Sequence, residues 1–225
     1  IFFTSDNGGA TSALFATGAR SPEEREASGG VALNAKPPAS NGPFSGGKGT
    51  LREGGVRLPA IVNWPNKIKP AVVNQPLGHI DIMPTLLALT GGQGDQAKPF
   101  DGKDAWATIT QGQPSPHEDI LINVEAFRGA IRRGKWKLIQ VATLPGKTQL
   151  FDLERDPGER QDVAASNPEV VADLESRLLA YAKVQKESLW LKSQIDFLGF
   201  QGETRLDPGY NVDGGLPQEK IALPK

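Results

Sequence analysis

Two short polar stretches constrain this chain more than anything else in it: Thr4-Ser5-Asp6-Asn7-Gly8-Gly9 and Lys48-Gly49-Thr50-Leu51-Arg52-Glu53-Gly54-Gly55-Val56-Arg57. The first follows Ile1-Phe2-Phe3, an aromatic and β-branched run that stops at a turn and so reads as a short buried strand. A carboxylate and a carboxamide then stand side by side at a strand end, the place where ligands bind in an open α/β sheet. Asp6 and Asn7 are hard oxygen donors, suited to calcium or magnesium rather than to zinc or copper. The same residues also make a plain turn, because Asp, Asn and Gly dominate turns for steric reasons. The two readings are separated by what accompanies them.

Composition sets the outer limits. With 225 residues the chain can form one large domain, or a domain with an appended lobe. The 26 glycines and 18 prolines, against 38% apolar residues, indicate a loop-rich globular protein rather than a helical bundle. A net charge of -1 offers no electrostatic case for nucleic acid or an anionic membrane. No run approaches the roughly 18 apolar residues of a membrane span. The absence of cysteine excludes disulfides, thiolate-bound metals and a cysteine nucleophile. Ile1 opens inside an apparent strand, so an N-terminal portion is expected to precede it.

Along the chain, Ala10 to Gly47 shows neither helical nor strand period and holds the breakers Pro37-Pro38, Asn41-Gly42-Pro43 and Gly46-Gly47. So long an irregular stretch is either a functional rim or a solvated insertion, and both readings stand. Leu58 to Trp64 reads as a strand, with Pro59 near its start. His79 to Thr90 reads as a helix with Asp81 near its beginning, an apolar face of Ile82, Leu86 and Leu89, and Gly91-Gly92 at its end. Phe100-Asp101-Gly102 then opens a short segment containing Trp106 and Ile109. From about Ser115 the pattern changes. Ile120–Val124, Ala130–Arg132, Trp136–Ile139 and Gln149–Leu153 are strand candidates, the middle two joined across Arg133-Gly134-Lys135. Asn167-Pro168-Glu169 starts a helix whose Val171, Leu174, Leu178 and Tyr181 recur at helical spacing. Strands followed by one helix predict a small α+β lobe over residues 115–192. Beyond Lys192 the remaining residues, 193–225, form an irregular tail.

With Asp6-Asn7 before it and His79-Ile80-Asp81-Ile82-Met83-Pro84-Thr85 after it, the second polar stretch resembles the sulfatase family. The likeness is greatest to arylsulfatase B-like members, within the alkaline phosphatase superfamily. The pattern Lys-Gly-Thr-Leu-x-Glu-Gly-Gly-Val-Arg-x-Pro is long and specific. Gln149-Leu150-Phe151-Asp152-Leu153-Glu154-Arg155-Asp156-Pro157-Gly158-Glu159 resembles the family's late Leu-Tyr-Asp-Leu…Asp-Pro-x-Glu segment. The likeness runs from residue 1 to about residue 185 and matches only the later part of a sulfatase. It implies an α/β fold, with residues 1–114 as the later part of the sulfatase core sheet and the lobe packed on it.

The resemblance also implies roles. Sulfate ester cleavage needs a nucleophile, neutralisation of the sulfate oxygens and an acid for the leaving alcohol; a divalent ion and fixed cations supply the neutralisation. Asp6 and Asn7 match the later pair of calcium ligands, and Lys48 matches the catalytic lysine that contacts the sulfate group. A lysine suits this as a point charge with three donors; outside the motif it would be a solvated surface cation. His79 matches a histidine facing the substrate pocket, with a capping or merely structural role as the alternative. Glu53, Gly54, Gly55 and Arg57 support the loop, Glu53 and Arg57 either as a supporting pair or as an ordinary surface one. The segment holding Asn123 and Arg128 reads as lobe packing, with a place for one of them at the border of the pocket as the alternative. His117 receives no role, and Glu154 to Arg160 reads as a solvated turn.

What is absent matters equally. A sulfatase makes its formylglycine from Cys or Ser in (Cys/Ser)-x-Pro-x-Arg, and Ser21-Pro22-Glu23-Glu24-Arg25 has its proline in the wrong place. The early aspartate pair and His-x-Lys are missing too, and two ligands fall short of calcium's usual six to eight oxygens. The chain is therefore expected to hold half a site, to be inactive alone, and to need a missing N-terminal portion carrying the formylglycine. Its partners would be a sulfated small molecule or glycan, and family resemblance implies a periplasmic or extracellular location. Two rivals remain: a phosphate or phosphonate ester hydrolase of the same superfamily, and a non-catalytic module that binds glycans or a partner. The first rival usually carries Asp-His where this chain has Asp6-Asn7.

Overall fold

The computed structural model describes residues 1–11, 39–92, 99–125, 128–141 and 146–185. Residues 12–38 of the irregular stretch and the tail beyond Lys192 lie outside them. The chain divides into a compact unit, Ile1–Lys183, and a second one, Val184–Lys225.

Strand β1 (Phe2–Thr4) pairs antiparallel with β2 (Ala60–Val62), Phe3 opposite Ile61. The strand is where the sequence places it, but the expectation of burial is corrected: Phe3 is 65% and Ile61 61% exposed. In a two-stranded ribbon directly opposed residues share a face, and no described element covers this one. Between the strands lies a single helical turn, α1 (Glu53–Val56), in the second polar stretch.

The helix read at His79–Thr90 begins as a 3-10 turn, His79–Asp81, and continues as α2 (Ile82–Thr90). Asp81 explains the start. One carboxylate oxygen accepts the Gly78 N–H at 2.8 Å and the other accepts the Lys103 N–H at 2.8 Å. Gly91, at φ 67°, ends the helix in the left-handed conformation that glycine adopts without a steric penalty. Its expected apolar face is only partly used, since Leu86 remains exposed. Thr85 bridges onward, donating to the Asp81 carbonyl at 2.6 Å and accepting the Ala105 N–H at 2.9 Å, just ahead of α3 (Trp106–Gln111).

The four strands expected after Ser115 form one antiparallel sheet in sequence order: β3 (Ile120–Val124), β4 (Arg128–Arg133), β5 (Trp136–Val141) and β6 (Lys147–Asp152). Side chains alternate between its faces, and each face has its own core. On one, Ile131, Leu138 and Leu150 pack against Leu174 and Leu178 of α4 (Pro168–Val184), with Val171 and Tyr181 at the margin. On the other, Ala130, Ile139, Phe151 and Leu153 meet Leu51 from the second polar stretch. The sheet is thus covered by a helix on one side and by the Lys48 loop on the other.

Helix α4 is further tied by polar contacts. Tyr181 donates to Asp119 Oδ1 at 2.6 Å, and Arg177 donates to Asp119 Oδ2 at 2.9 Å. Accepting by Asp119 holds the Tyr181 proton, and partial burial adds to it, so the phenol is pushed up to about 12. The folded state therefore keeps a proton that the unfolded chain releases near pH 10. Stability from this contact is full below pH 10 and lost as pH rises towards 12. A denaturation series over that range should show the decline, and Tyr181→Phe should flatten it. Leu174→Ala, at a site with 1% exposure, should cost about 2–5 kcal/mol in urea unfolding.

Candidate functional site

Glycine brings the two polar stretches together. A methyl group on Gly8 would stand 1.8 Å from the Gly54 carbonyl oxygen, and one on Gly47 would stand 2.5 Å from the Gly9 carbonyl oxygen. No side chain fits either place. The backbones join directly: Gly8 N–H donates to Gly55 O at 2.9 Å, and Lys48 N–H donates to Gly9 O at 3.1 Å. Asn41 adds a side-chain staple, accepting the Gly9 N–H at 2.7 Å and donating to Gly9 O at 3.1 Å and Gly46 O at 3.0 Å.

This junction carries the residues singled out from sequence. Asp6 is exposed, with Oδ1 accepting the Asn7 N–H at 2.9 Å. Asn7 is half-buried, and its side-chain nitrogen donates to Gly8 O at 2.9 Å, while its carboxamide oxygen has no hydrogen-bond partner among the described residues. Lys48 is exposed and its backbone is pinned two residues beyond Asn7, at Gly9. His79 reaches the last residue of β1, with Nε2 3.3 Å from Thr4 Oγ1, two residues ahead of Asp6. Three separate parts of the sequence therefore meet near the end of β1, Lys48 through its backbone and His79 through its ring. Arg128 joins them at the border, donating through Nη1 to Gly49 O at 3.1 Å, whereas Asn123 stays within the sheet and donates to Arg128 O. Arg128 also grips Glu125, and this hydrogen bond lowers the carboxyl's pKa.

Beneath the loop lies a charged cluster that sequence reading did not find. Glu53, Lys137 and Glu159 are all buried, Lys137 completely. Lys137 Nζ donates to Glu53 Oε1 at 2.8 Å and lies 2.9 Å from Glu159 Oε1, off the line of a hydrogen bond. Glu159 Oε2 accepts the Glu53 N–H at 2.7 Å and the Ser45 hydroxyl at 2.8 Å. Arg57 stands 3.7 Å from Glu53 Oε2, so this pair is not an ordinary surface one. Burial pushes the nearby Arg132 guanidinium below its usual pKa, with Glu53 acting in the opposite sense. The solvated-turn reading of Glu154 to Arg160 is corrected at its end: Glu154, Arg155 and Arg160 are exposed, but Gly158 and Glu159 are buried. The signal was a lysine flanked by Trp136, Leu138 and Ile139 in a strand apolar on both faces. His117 was passed over as well. Its Nε2 lies 2.7 Å from Asp81 Oδ1, both side chains being almost wholly buried.

Chemically, the junction offers two hard oxygen donors, a flexible ammonium and an imidazole at one strand end. Asp6 and Asn7 fit a hard cation in kind, the carboxylate through its exposed oxygen and Asn7 through the carboxamide oxygen. They do not complete a coordination shell, and among the described residues no group of three or more His, Cys, Asp or Glu is placed to hold a metal ion. The glycine contact is open to test. Gly8→Ala should destabilise the fold by about 1–3 kcal/mol through overpacking. Gly146→Ala, whose new methyl would stand 3.6 Å from its nearest neighbour, should be nearly neutral in the same denaturation assay.

Comparison with known proteins gives the family. The family model described as Sulfatase matches residues 1–92, and that described as N-sulphoglucosamine sulphohydrolase, C-terminal, matches residues 47–184. Mouse (Mus musculus) arylsulfatase J is 31% identical over 192 residues, covering 64% of this chain and 32% of that protein. The N-acetylgalactosamine-6-O-sulfatase of Bacteroides thetaiotaomicron is 32% identical over 157 residues, covering 64% of this chain and 30% of its own length. Among solved structures, Ps i-CgsB in complex with k-i-k-neocarrahexaose superposes with a TM-score of 0.60 at 27% identity, over 81% of this chain and 36% of that one. A chain from work on the metabolism of multiple glycosaminoglycans by Bacteroides thetaiotaomicron gives 0.60 at 27% identity, over 81% and 38%. The chain spans about a third of the length of the curated relatives it matches. Among the described residues no helix is long and apolar enough to cross a membrane. With matched segments running from residue 1 to residue 184 and an alkaline phosphatase-like fold in common, this chain belongs to the sulfatase family.

Proposed function

We propose that the chain is the later portion of a calcium-dependent sulfatase that hydrolyses sulfate esters of sulfated sugars. The observation that carries this reading is the glycine-packed junction, which sets the Lys48 backbone on Gly9 beside Asp6-Asn7. Asp6 and Asn7 would hold the metal, and a bound calcium ion would supply positive charge to the sulfate oxygens. Lys48 serves the same end as a second cation, reaching the ester from its exposed position on the loop. His79 contacts the substrate from its place beside Thr4. The leaving sugar favours a protein outside the cytoplasm, in the periplasm or beyond the cell.

The nucleophile comes from elsewhere. The sequence holds no (Cys/Ser)-x-Pro-x-Arg motif from which a formylglycine is made, so the chain is inactive alone. An N-terminal sulfatase portion would supply that residue and the remaining metal ligands. Support comes from the exposed apolar side chains Phe3 and Ile61 on the ribbon and Ile80 and Met83 at the start of α2. Such surface is what a partner layer of a larger α/β core buries. Asp6-Asn7, rather than Asp-His, favours sulfate over phosphate esters.

The complete gene product should hydrolyse an aryl sulfate far faster than an aryl phosphate, and chelation of calcium should abolish turnover. Lys48→Ala should lower kcat/KM by about 10²–10³. Asp6→Ala should raise the calcium concentration needed for half-maximal activity. Cleavage of an aryl sulfate by the 225-residue chain alone, at an ordinary enzymatic rate, would overturn the half-site reading.

A further inference from the structure

Lys137 has no surface in contact with water. On β5 it points to the loop side of the sheet, in line with Ile139, whereas Trp136 and Leu138 point to α4. An ammonium buried this deeply carries a large dehydration cost, and an apolar residue of similar volume is often as stable or more so in such a place. What the charge adds is direction. Lys137 donates to Glu53 at 2.8 Å and stands in charge contact with Glu159 at 2.9 Å, and Glu159 also receives the Glu53 N–H and the Ser45 hydroxyl. The cluster therefore grips the loop at residues 45 and 53, on either side of Lys48. One residue beyond Glu53, the Gly54 N–H closes on Ser45 O at 2.7 Å.

We propose that Lys137 is a positioning residue for Lys48: its buried ammonium, held between Glu53 and Glu159, sets the conformation of loop 45–57 and with it the place at which the Lys48 ammonium is presented. Lys137 touches no substrate. It acts through Glu53 and Glu159 across the sheet face, which makes the four-stranded lobe part of the site's construction. The inference rests on the reading of Lys48 as a sulfate-binding residue.

The test uses the complete gene product. Lys137→Met alone strands two buried carboxylates and invites unfolding, so the informative variant is the neutral set Glu53→Gln, Lys137→Met and Glu159→Gln. Amide hydrogen exchange is read at Lys48, Gly54 and Gly55 and, separately, along β4 and β5. Kinetics on an aryl sulfate are measured beside Lys48→Ala. The expected result is wild-type protection in β4 and β5, with loop exchange faster by roughly tenfold or more. kcat/KM should fall on the order of tenfold. Unchanged loop protection overturns the proposal, and so does equal loss in loop and strands, which would make the cluster a general support of the fold. If Lys48→Ala is impaired while the neutral set keeps full kinetics, the positioning role fails and the sulfatase reading survives. If Lys48→Ala has no effect, the reading of Lys48 fails and the positioning role with it.

Discussion

An ammonium group shut away from water governs the middle of this structure. Lys137 can be buried only if carboxylates come to it, because an isolated charge in a low-dielectric interior costs several kcal/mol or more. Glu53 and Glu159 answer that need from either side of it in sequence, one 84 residues upstream and the other shortly after β6. Glu159 adopts φ 53° to do so, a left-handed conformation that an unbranched acid takes only when its surroundings hold it there. The two faces of the sheet are thus closed by different physics. Helix α4 is held mainly by apolar burial, which is strong but tolerant of small shifts. The loop is held by charge and hydrogen bonds, which prescribe distance and direction.

Glycine makes that prescription workable. The loop approaches the β1 end so closely that carbonyl oxygens lie where Cβ atoms would be, at Gly8 and at Gly47. Backbone then meets backbone, and Lys48 N–H finds Gly9 O without any side chain intervening. Cation–π contacts fix the flanks: Arg52 lies 4.7 Å from the Phe151 ring centre, and Arg57 lies 4.7 Å from that of Phe44. A long polar loop, which carries the entropy of an irregular segment, is held by contacts at both ends and in the middle.

Asp81 plays the matching part for His79. Almost wholly buried, it receives the Gly78 and Lys103 N–H groups and the His117 ring nitrogen. Those contacts set the 3-10 turn from which His79 reaches Thr4. A buried acid within a helix start and a buried lysine within a strand thus do equivalent work. Each turns a segment that composition would leave loose into a fixed edge of the site.

Much of this was legible in the residues alone. The antiparallel strands, the Gly134 hairpin, the two main helices and the convergence of interest on Asp6, Asn7, Lys48 and His79 follow from signals local to a few neighbouring positions: period, breakers and motif spacing. Other features were not legible. The exposure of Phe3 depends on which element lies over the ribbon, and apolar character alone is silent on that. Glu159 looked like one more acid in a turn, His117 like loop, and Lys137 like a strand interruption. Their roles arise from pairings of residues far apart in sequence, up to 114 positions for Ser45 and Glu159, set by sheet register and by how the loop folds back. Local chemistry determined what each segment could become. Only the tertiary structure, by removing water from Lys137, Glu53 and Glu159 together, decided which charges had to meet.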